Sequence, residues 1–225
     1  LIYISRFTRK KLDKLSKKIT FTNTINAKSI ILNNIDHGGY VSFIGLHGFS
    51  EYLTNNEYFK SINNSKFIFC DSIFPKYYNF FINFKFLNKS PGPDVLSLLL
   101  SDNLLKNYKI LFYGGHNFLL ECVKKKYSLN NVYQIIPGQI DYNNKPLLMK
   151  EYKKIKQINP DIVIIGLGCP KQEIIADFFY KIEKKIFIIP VGAALNFVSG
   201  YEKRAPKLFR LMEIEFLWRF FQSPN

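Results

Sequence analysis

The sequence predicts an α/β fold, a Rossmann-like and mostly parallel sheet with helices on both faces. Three observations lead there. Apolar runs of strand length, of which 162–165 (IVII) is the purest, are continuous rather than alternating, as strands buried on both faces require. Stretches of helical length separate these runs, which asks for right-handed crossovers between parallel strands. Small or acidic residues, Asp71, Gly114 and Gly166 among them, follow the runs directly.

Residues 40–44 (YVSFI) form the first strand of the series and 49–62 the first helix. Residues 66–70 (KFIFC) are a short apolar strand that ends at Asp71. An aromatic segment, 73–86, leads into the turn SPGP at 90–93, after which Asp94 opens a helix over 94–105. Residues 109–113 (KILFY) are a strand closed by Gly114 and Gly115, and 118–127 a helix. A strand over 132–136 and a helix over 147–158, stopped before Pro160, follow. The strand 162–165 turns through Gly166 and Gly168 into a helix over 171–181, and residues 185–190 (KIFIIP) complete the sheet. Pro170 suits a first helical turn, where its missing N–H costs nothing, so Lys171, Gln172 and Glu173 should lie at a helix N-terminus whose free N–H groups attract anions.

With 225 residues and 47% hydrophobic content the chain can fill one large core. It divides into a basic N-terminal segment (1–39), an α/β domain (40–200) and an aromatic and basic helical appendage (201–225). The 32 Lys and Arg against 17 Asp and Glu give +15, which favours polyanionic partners: nucleic acid, an anionic membrane surface or a phosphorylated substrate. Cys70, Cys122 and Cys169 are too far apart for a disulfide framework or a zinc motif, and a reducing cytoplasmic setting fits them. His37, His47 and His116 are scattered, so no metal is expected. No run reaches the roughly 18 apolar residues of a membrane span. The amino end has no secretory-signal pattern. The Asn and Lys bias reads as genome base composition.

In open α/β sheets ligands lie beyond the carboxyl ends of the strands, where Asp71, Gly114, Gly115, Gly166, Gly168 and Gly192 fall. Asp71 reads either as a general base or as a cap for the next segment. The glycine pairs read either as phosphate cradles or as tight turns, since neither is a dinucleotide fingerprint or a Walker motif. Gly92, in PGPD, is most simply part of a turn. The stretch 201–225 interleaves Leu208, Phe209, Phe216 and other apolar residues with Lys203, Arg204, Lys207, Arg210 and Arg219. A helix over 206–222 would rest in a membrane interface or pack on the core with its basic side chains reaching outward.

Taken together, GLGCPKQE (166–173), VGAALNFVSG (191–200), KRAPK (203–207) and EFLWRFFQSP (215–224) resemble the WecG/TagA/CpsF family of glycosyltransferases. The resemblance is clear over 109–224 and continuous in order from Tyr40. It implies an inverting, metal-independent enzyme without a cofactor that moves a sugar (hexose, N-acetylhexosamine or uronic acid) from a UDP-sugar to a polyprenyl-diphosphate-linked saccharide. Such an enzyme would be cytoplasmic and peripheral on the inner face of the plasma membrane, in surface polysaccharide synthesis. The absence of a D-x-D pair agrees with metal independence.

The resemblance carries over to residues as follows. Asp71, in FCDSI, matches the family's catalytic Asp, with Cys70 and Ser72 replacing its usual neighbours. Gln172 matches the glutamine of the PKQE block, flanked by Lys171 and Glu173. Lys89 stands where Arg is more common, Asn196 where Asp is common, and Ser42 replaces a Thr. Substrate contacts are expected from these residues, from Gly92, Gly114, Gly115, Gly166, Gly168 and Gly192, and from Lys203 and Arg204. Arg210, Trp218, Arg219, Phe220 and Phe221 are expected to meet the membrane or the acceptor. Further basic residues after Asn225 are implied too. The partners are then the UDP-sugar, the lipid-linked acceptor and an anionic membrane surface, and not nucleic acid; a homo-oligomer is neither required nor excluded. A non-catalytic membrane-associated scaffold of transferase ancestry and a basic nucleic-acid-binding protein are the competing classes.

Overall fold

A computed structural model describes residues 6–72 and 88–206. Its centre is a seven-stranded sheet of β1 (Ile19–Thr20), β2 (Gly39–Ile44), β3 (Phe67–Cys70), β4 (Ile110–Gly114), β5 (Val132–Ile135), β6 (Ile162–Gly166) and β7 (Phe187–Pro190), in the order β1-β3-β2-β7-β6-β4-β5. Every pairing is parallel. The helices are α1 (Arg6–Lys18), α2 (Thr24–Leu32), α3 (Leu46–Thr54), α4 (Asn56–Asn64), α5 (Gly92–Leu100), α6 (Leu119–Tyr127), α7 (Lys145–Ile158), α8 (Lys171–Ile182) and α9 (Ala194–Ser199). The fold is the Rossmann-like α/β class that the continuous apolar runs predict.

Side chains of a strand alternate between faces, and β4 shows what that achieves here. Ile110 and Phe112 enter a core shared with α2, α5, α6 and α9, whereas Leu111 and Tyr113 enter one shared with α7 and α8. A third cluster, from Leu12 and Leu15 of α1, Ile44, Phe49, Tyr52, Tyr58 and Ile62, closes the sheet beside β3. Burial on both faces explains why these strands lack a polar alternation.

Three departures from the sequence reading have local causes. The helix expected over 49–62 is two helices, because Asn55 is extended and its side chain accepts the N–H groups of Glu57 at 3.0 Å and Tyr58 at 3.1 Å, starting α4 afresh. The helix expected over 94–105 stops at Leu100; Asp102 then accepts the Leu104 N–H at 3.0 Å and opens a 3-10 turn, Asn103–Asn107. Residues before Tyr40 are part of the fold: Leu12 and Leu15 are buried, β1 pairs with Ile68 and Phe69, and α2 buries Ala27 and Ile31. The aromatic segment 73–86 and the stretch with Arg210, Trp218, Arg219, Phe220 and Phe221 lie outside the described residues. Among the described residues no helix is long and apolar enough to cross a membrane.

Candidate active site

Two places at the carboxyl ends of the strands differ in character, one closely packed and one open. From β4 the chain crosses outward to β5, and from β6 it crosses the other way to β7, so the sheet's direction of winding reverses between β4 and β6. There Gly114 and Gly166 are register partners. A Cβ on Gly114, at φ +105°, would stand 2.7 Å from the Gly166 carbonyl oxygen, and one on Gly166 would collide with Leu195 of α9. These glycines permit close backbone packing, which is the tight-turn reading of the pair. Gln134 of β5 fixes the loop that follows by donating to the carbonyls of Gly114 and His116, both at 3.0 Å.

The open place lies between β2 and β7. These strands pair only through Gly39 with Phe187 and Tyr40 with Ile188, while residues 41–44 of β2 pair with β3 alone. Pairing stops halfway, and the carboxyl halves are not bonded to each other. Asp71 stands on one side of this gap, past the end of β3. Its N–H donates to the Ile44 carbonyl at 3.0 Å, and its Oδ1 accepts the Gly92 N–H at 2.5 Å, at the start of α5. Its Oδ2 lies 3.4 Å from where a Cβ on Gly45 would be, in the turn between β2 and α3. The carboxylate is therefore both a helix anchor and a group held at the sheet's edge. Lys89 is near it in the chain, because the Ser90 N–H donates to the Cys70 carbonyl at 2.7 Å.

On the other side are Gly168, Gln172 and Gly192. The Gln172 N–H donates to the Gly168 carbonyl at 3.1 Å, and α8 begins at Lys171 as Pro170 predicts. Gly168, at φ +78°, has open space where a side chain would be, and a Cβ on Gly192 would sit 3.8 Å from the Gly168 Cα and 3.5 Å from Gln172 Oε1. Two glycines thus leave room beside a glutamine amide. Strands β3 and β7 are the two neighbours of β2, so Asp71 and Gly192 follow strands two spacings apart, about 10 Å where the strands pair.

Several polar atoms bordering this region are buried without a hydrogen-bond partner: Ser42 Oγ, Ser72 Oγ, Gln172 Oε1 and Glu173 Oε2. Leaving such an atom unsatisfied costs about 1–3 kcal/mol, so several together suit a site completed by a ligand. Ser42 is wholly buried on the β2 face that carries Tyr40 and Ile44, below the strand tip where the sequence reading would have it meet a substrate. Glu173 is 1% exposed. Its burial pushes its carboxyl up to about 7, with the Gln172 hydrogen bond acting against that and the charge of Glu51 adding to it. Burial likewise raises the Tyr58 hydroxyl and the Cys169 thiol beside it.

The raised Glu173 fixes a sign for stability. The folded chain keeps this proton between about pH 4.5 and 7 while the unfolded chain has lost it. Its contribution is complete below that window, is lost as pH rises through it, and totals about 3 kcal/mol. Urea unfolding across this range is expected to show the fall in wild type and not in Glu173→Gln; equal slopes would contradict it.

The remaining candidates are dispersed. Lys171 and Lys203 are exposed. Asn196 donates to Glu202 Oε1 at 2.7 Å, so this Asn pairs with an acid next to α9. Arg204 is ion-paired with Asp94 in the first turn of α5 and lies 5.9 Å from the Phe197 ring centre. Gly115 packs against Leu119 and Leu195. The sequence reading named His116 only as one of three scattered histidines and gave it no role in the site. Its Nε2 is 2.8 Å from Ser199 Oγ, which itself donates to Asn196 O, and its ring stacks on Tyr201 at 4.4 Å. Its place just after Gly114 and Gly115 was the available signal. Among the described residues no group of His, Cys, Asp and Glu forms a cluster able to hold a metal ion.

Fold and site define an α/β protein whose glycines, Asp71 and Gln172 gather at the carboxyl edge of a parallel sheet. The Glycosyl transferase WecG/TagA/CpsF family matches residues 12–225, and the chain belongs to that family. The match begins well before Tyr40, where the motif resemblance began. A Staphylococcus aureus (strain NCTC 8325 / PS 47) protein named N-acetylglucosaminyldiphosphoundecaprenol N-acetyl-beta-D-mannosaminyltransferase is 26% identical over 171 residues, 74% of this chain and 65% of that protein. A Bacillus subtilis (strain 168) protein of the same name is 27% identical over 174 residues, 76% of this chain and 67% of that protein. The chain thus spans about two thirds of the length of these relatives.

Proposed function

We propose that this chain transfers a sugar from a UDP-sugar to a polyprenyl-diphosphate-linked saccharide, as an inverting, metal-independent hexosyltransferase of surface polymer synthesis. The names of the relatives favour an N-acetylhexosamine as the sugar and a lipid-diphosphate-linked N-acetylglucosamine as the acceptor. The observation that carries the reading is the placement of Asp71, pinned by the Gly92 N–H on one side of an unpaired gap, with Gly168, Gln172 and Gly192 on the other.

The donor lies across this gap. Asp71 takes the proton of the acceptor hydroxyl as its oxygen attacks the anomeric carbon, and the bond to the diphosphate breaks on the opposite face. The diphosphate leaves with the electron pair, and its charge is met by the positive end of the α8 dipole and by basic side chains such as Lys89. Arg204 contributes less to that charge than the sequence reading has it, because Asp94 already neutralises it. The work is done at the inner face of the plasma membrane, where the lipid-linked acceptor resides and a strongly basic chain is attracted to anionic lipid.

Release of UDP from a panel of UDP-hexoses, UDP-N-acetylhexosamines and UDP-uronic acids, with a short-chain polyprenyl-diphosphate-linked N-acetylglucosamine, tests the reading. Acceptor-dependent release with one donor class is expected. Folded protein that binds no UDP and releases none would replace it with the scaffold reading.

A further inference from the structure

Gln172 and Glu173 are consecutive residues of the first turn of α8, and both are buried, at 6% and 1% exposure. Gln172 Nε2 donates to Glu173 Oε1 at 2.8 Å. An ionised carboxylate has no hydrogen to give, so only the NH₂ end of the amide can face it. The carbonyl end is thereby turned the other way. There Oε1 has no hydrogen-bond partner and stands 3.5 Å from the position that a Gly192 Cβ would fill.

We propose that Glu173 is a positioning residue that sets the hydrogen-bonding sense of Gln172, so that the site presents a carbonyl oxygen and accepts a hydroxyl or amide hydrogen of the donor sugar. A phosphate oxygen, which can only accept, has no partner in that oxygen. The identity of the ligand rests on the transferase reading; the orientation of the amide does not. Glu173 thus leaves the set of residues expected to touch substrate and acts through its neighbour.

The surroundings of Glu173 make the orientation conditional on its proton. The titratable groups whose fields couple with it are Tyr40 of β2, Glu51 of α3, Tyr58 of α4 and Cys169 of the turn before α8. Burial, with the charge of Glu51 adding to it, holds the carboxyl up to about 7. A protonated carboxyl can donate its own hydrogen to Gln172 Oε1. The amide is then free to turn and offer NH₂ to the gap, which is the wrong polarity for a sugar hydroxyl hydrogen.

The test has two arms. In ¹⁵N-labelled protein the side-chain amide of Gln172, assigned by its loss in Gln172→Met, is followed from about pH 5 to about pH 9, a direct report on an assignment that heavy atoms alone do not give. Wild type is expected to show one transition with a midpoint near 7, absent in Glu173→Gln; a Gln172 amide that does not respond to pH in wild type overturns the proposal, whether or not the variant folds. In the transferase assay Glu173→Gln is expected to raise the donor KM about tenfold, to leave UDP affinity unchanged and to lose the acid limb of the rate profile. An unchanged donor KM and an unchanged pH profile in the variant overturn it as well. Wild-type protein silent with every donor refutes the transferase reading alone, and the amide titration then decides the orientation.

Discussion

Asp71→Asn is expected to lower kcat by roughly 10²- to 10⁴-fold while leaving the fold intact, because general-base assistance is worth that much and an amide cannot supply it. The two roles of this side chain can be separated. Asn keeps an oxygen able to accept the Gly92 N–H, so the start of α5 stays anchored and stability should change by no more than about 1 kcal/mol. Asp71→Ala removes both roles and should lose stability as well as rate. Single-turnover rates of sugar transfer, with urea unfolding alongside, check the pair. A folded Asp71→Asn that transfers at the wild-type rate would leave Asp71 as a cap and nothing more.

Gly114→Ala is expected to destabilise the protein by about 3 kcal/mol or more. Two costs add: φ of +105° is a conformation that side chains rarely adopt, and the new Cβ would press on the Gly166 carbonyl, which is backbone and cannot swing away. For a chain of this size that is a fall in Tm of about 10 °C, read by thermal unfolding. Gly168→Ala is the control. At φ +78° it carries backbone strain, yet nothing lies within 4 Å of its Cβ, so its cost should be the smaller of the two. Equal losses for both would mean that the close approach of β4 to β6 is not what Gly114 provides.

The class of fold and the carboxyl edge of the sheet were legible because their signals are local. The run 162–165 ends in glycines and Pro170, and β6, the turn and α8 follow in that order, with Lys171 the first helical residue. Asn55 was misread for want of weight given to a single cap: apolar spacing over 49–62 suits one helix, while the Asn55 side chain decides for two. What depends on distant chain was not legible. β1 is a two-residue strand whose partners, Ile68 and Phe69, are far along the sequence, and nothing in Ile19 and Thr20 announces them. Glu173 reads as a helix-start acid and substrate contact until α4 is packed against α8 and it is buried. His116 has in the sequence only its place after Gly114 and Gly115; its partner Ser199 is 83 residues away. The halted pairing of β2 with β7, which opens the gap, is a property of register that composition cannot report.

The first turn of α5 has a mechanical consequence. Gly92 grips Asp71 by its N–H, and two residues on, Asp94 grips Arg204. One turn of helix is therefore clamped at both ends, to the tip of β3 and to the strand of chain that runs out from α9 toward Pro206. A shift of the chain at Arg204 therefore reaches the carboxylate at the sheet's edge through less than a turn of helix. The aim of Asp71 and the course of the chain at Arg204 are thus set by the same few peptide units.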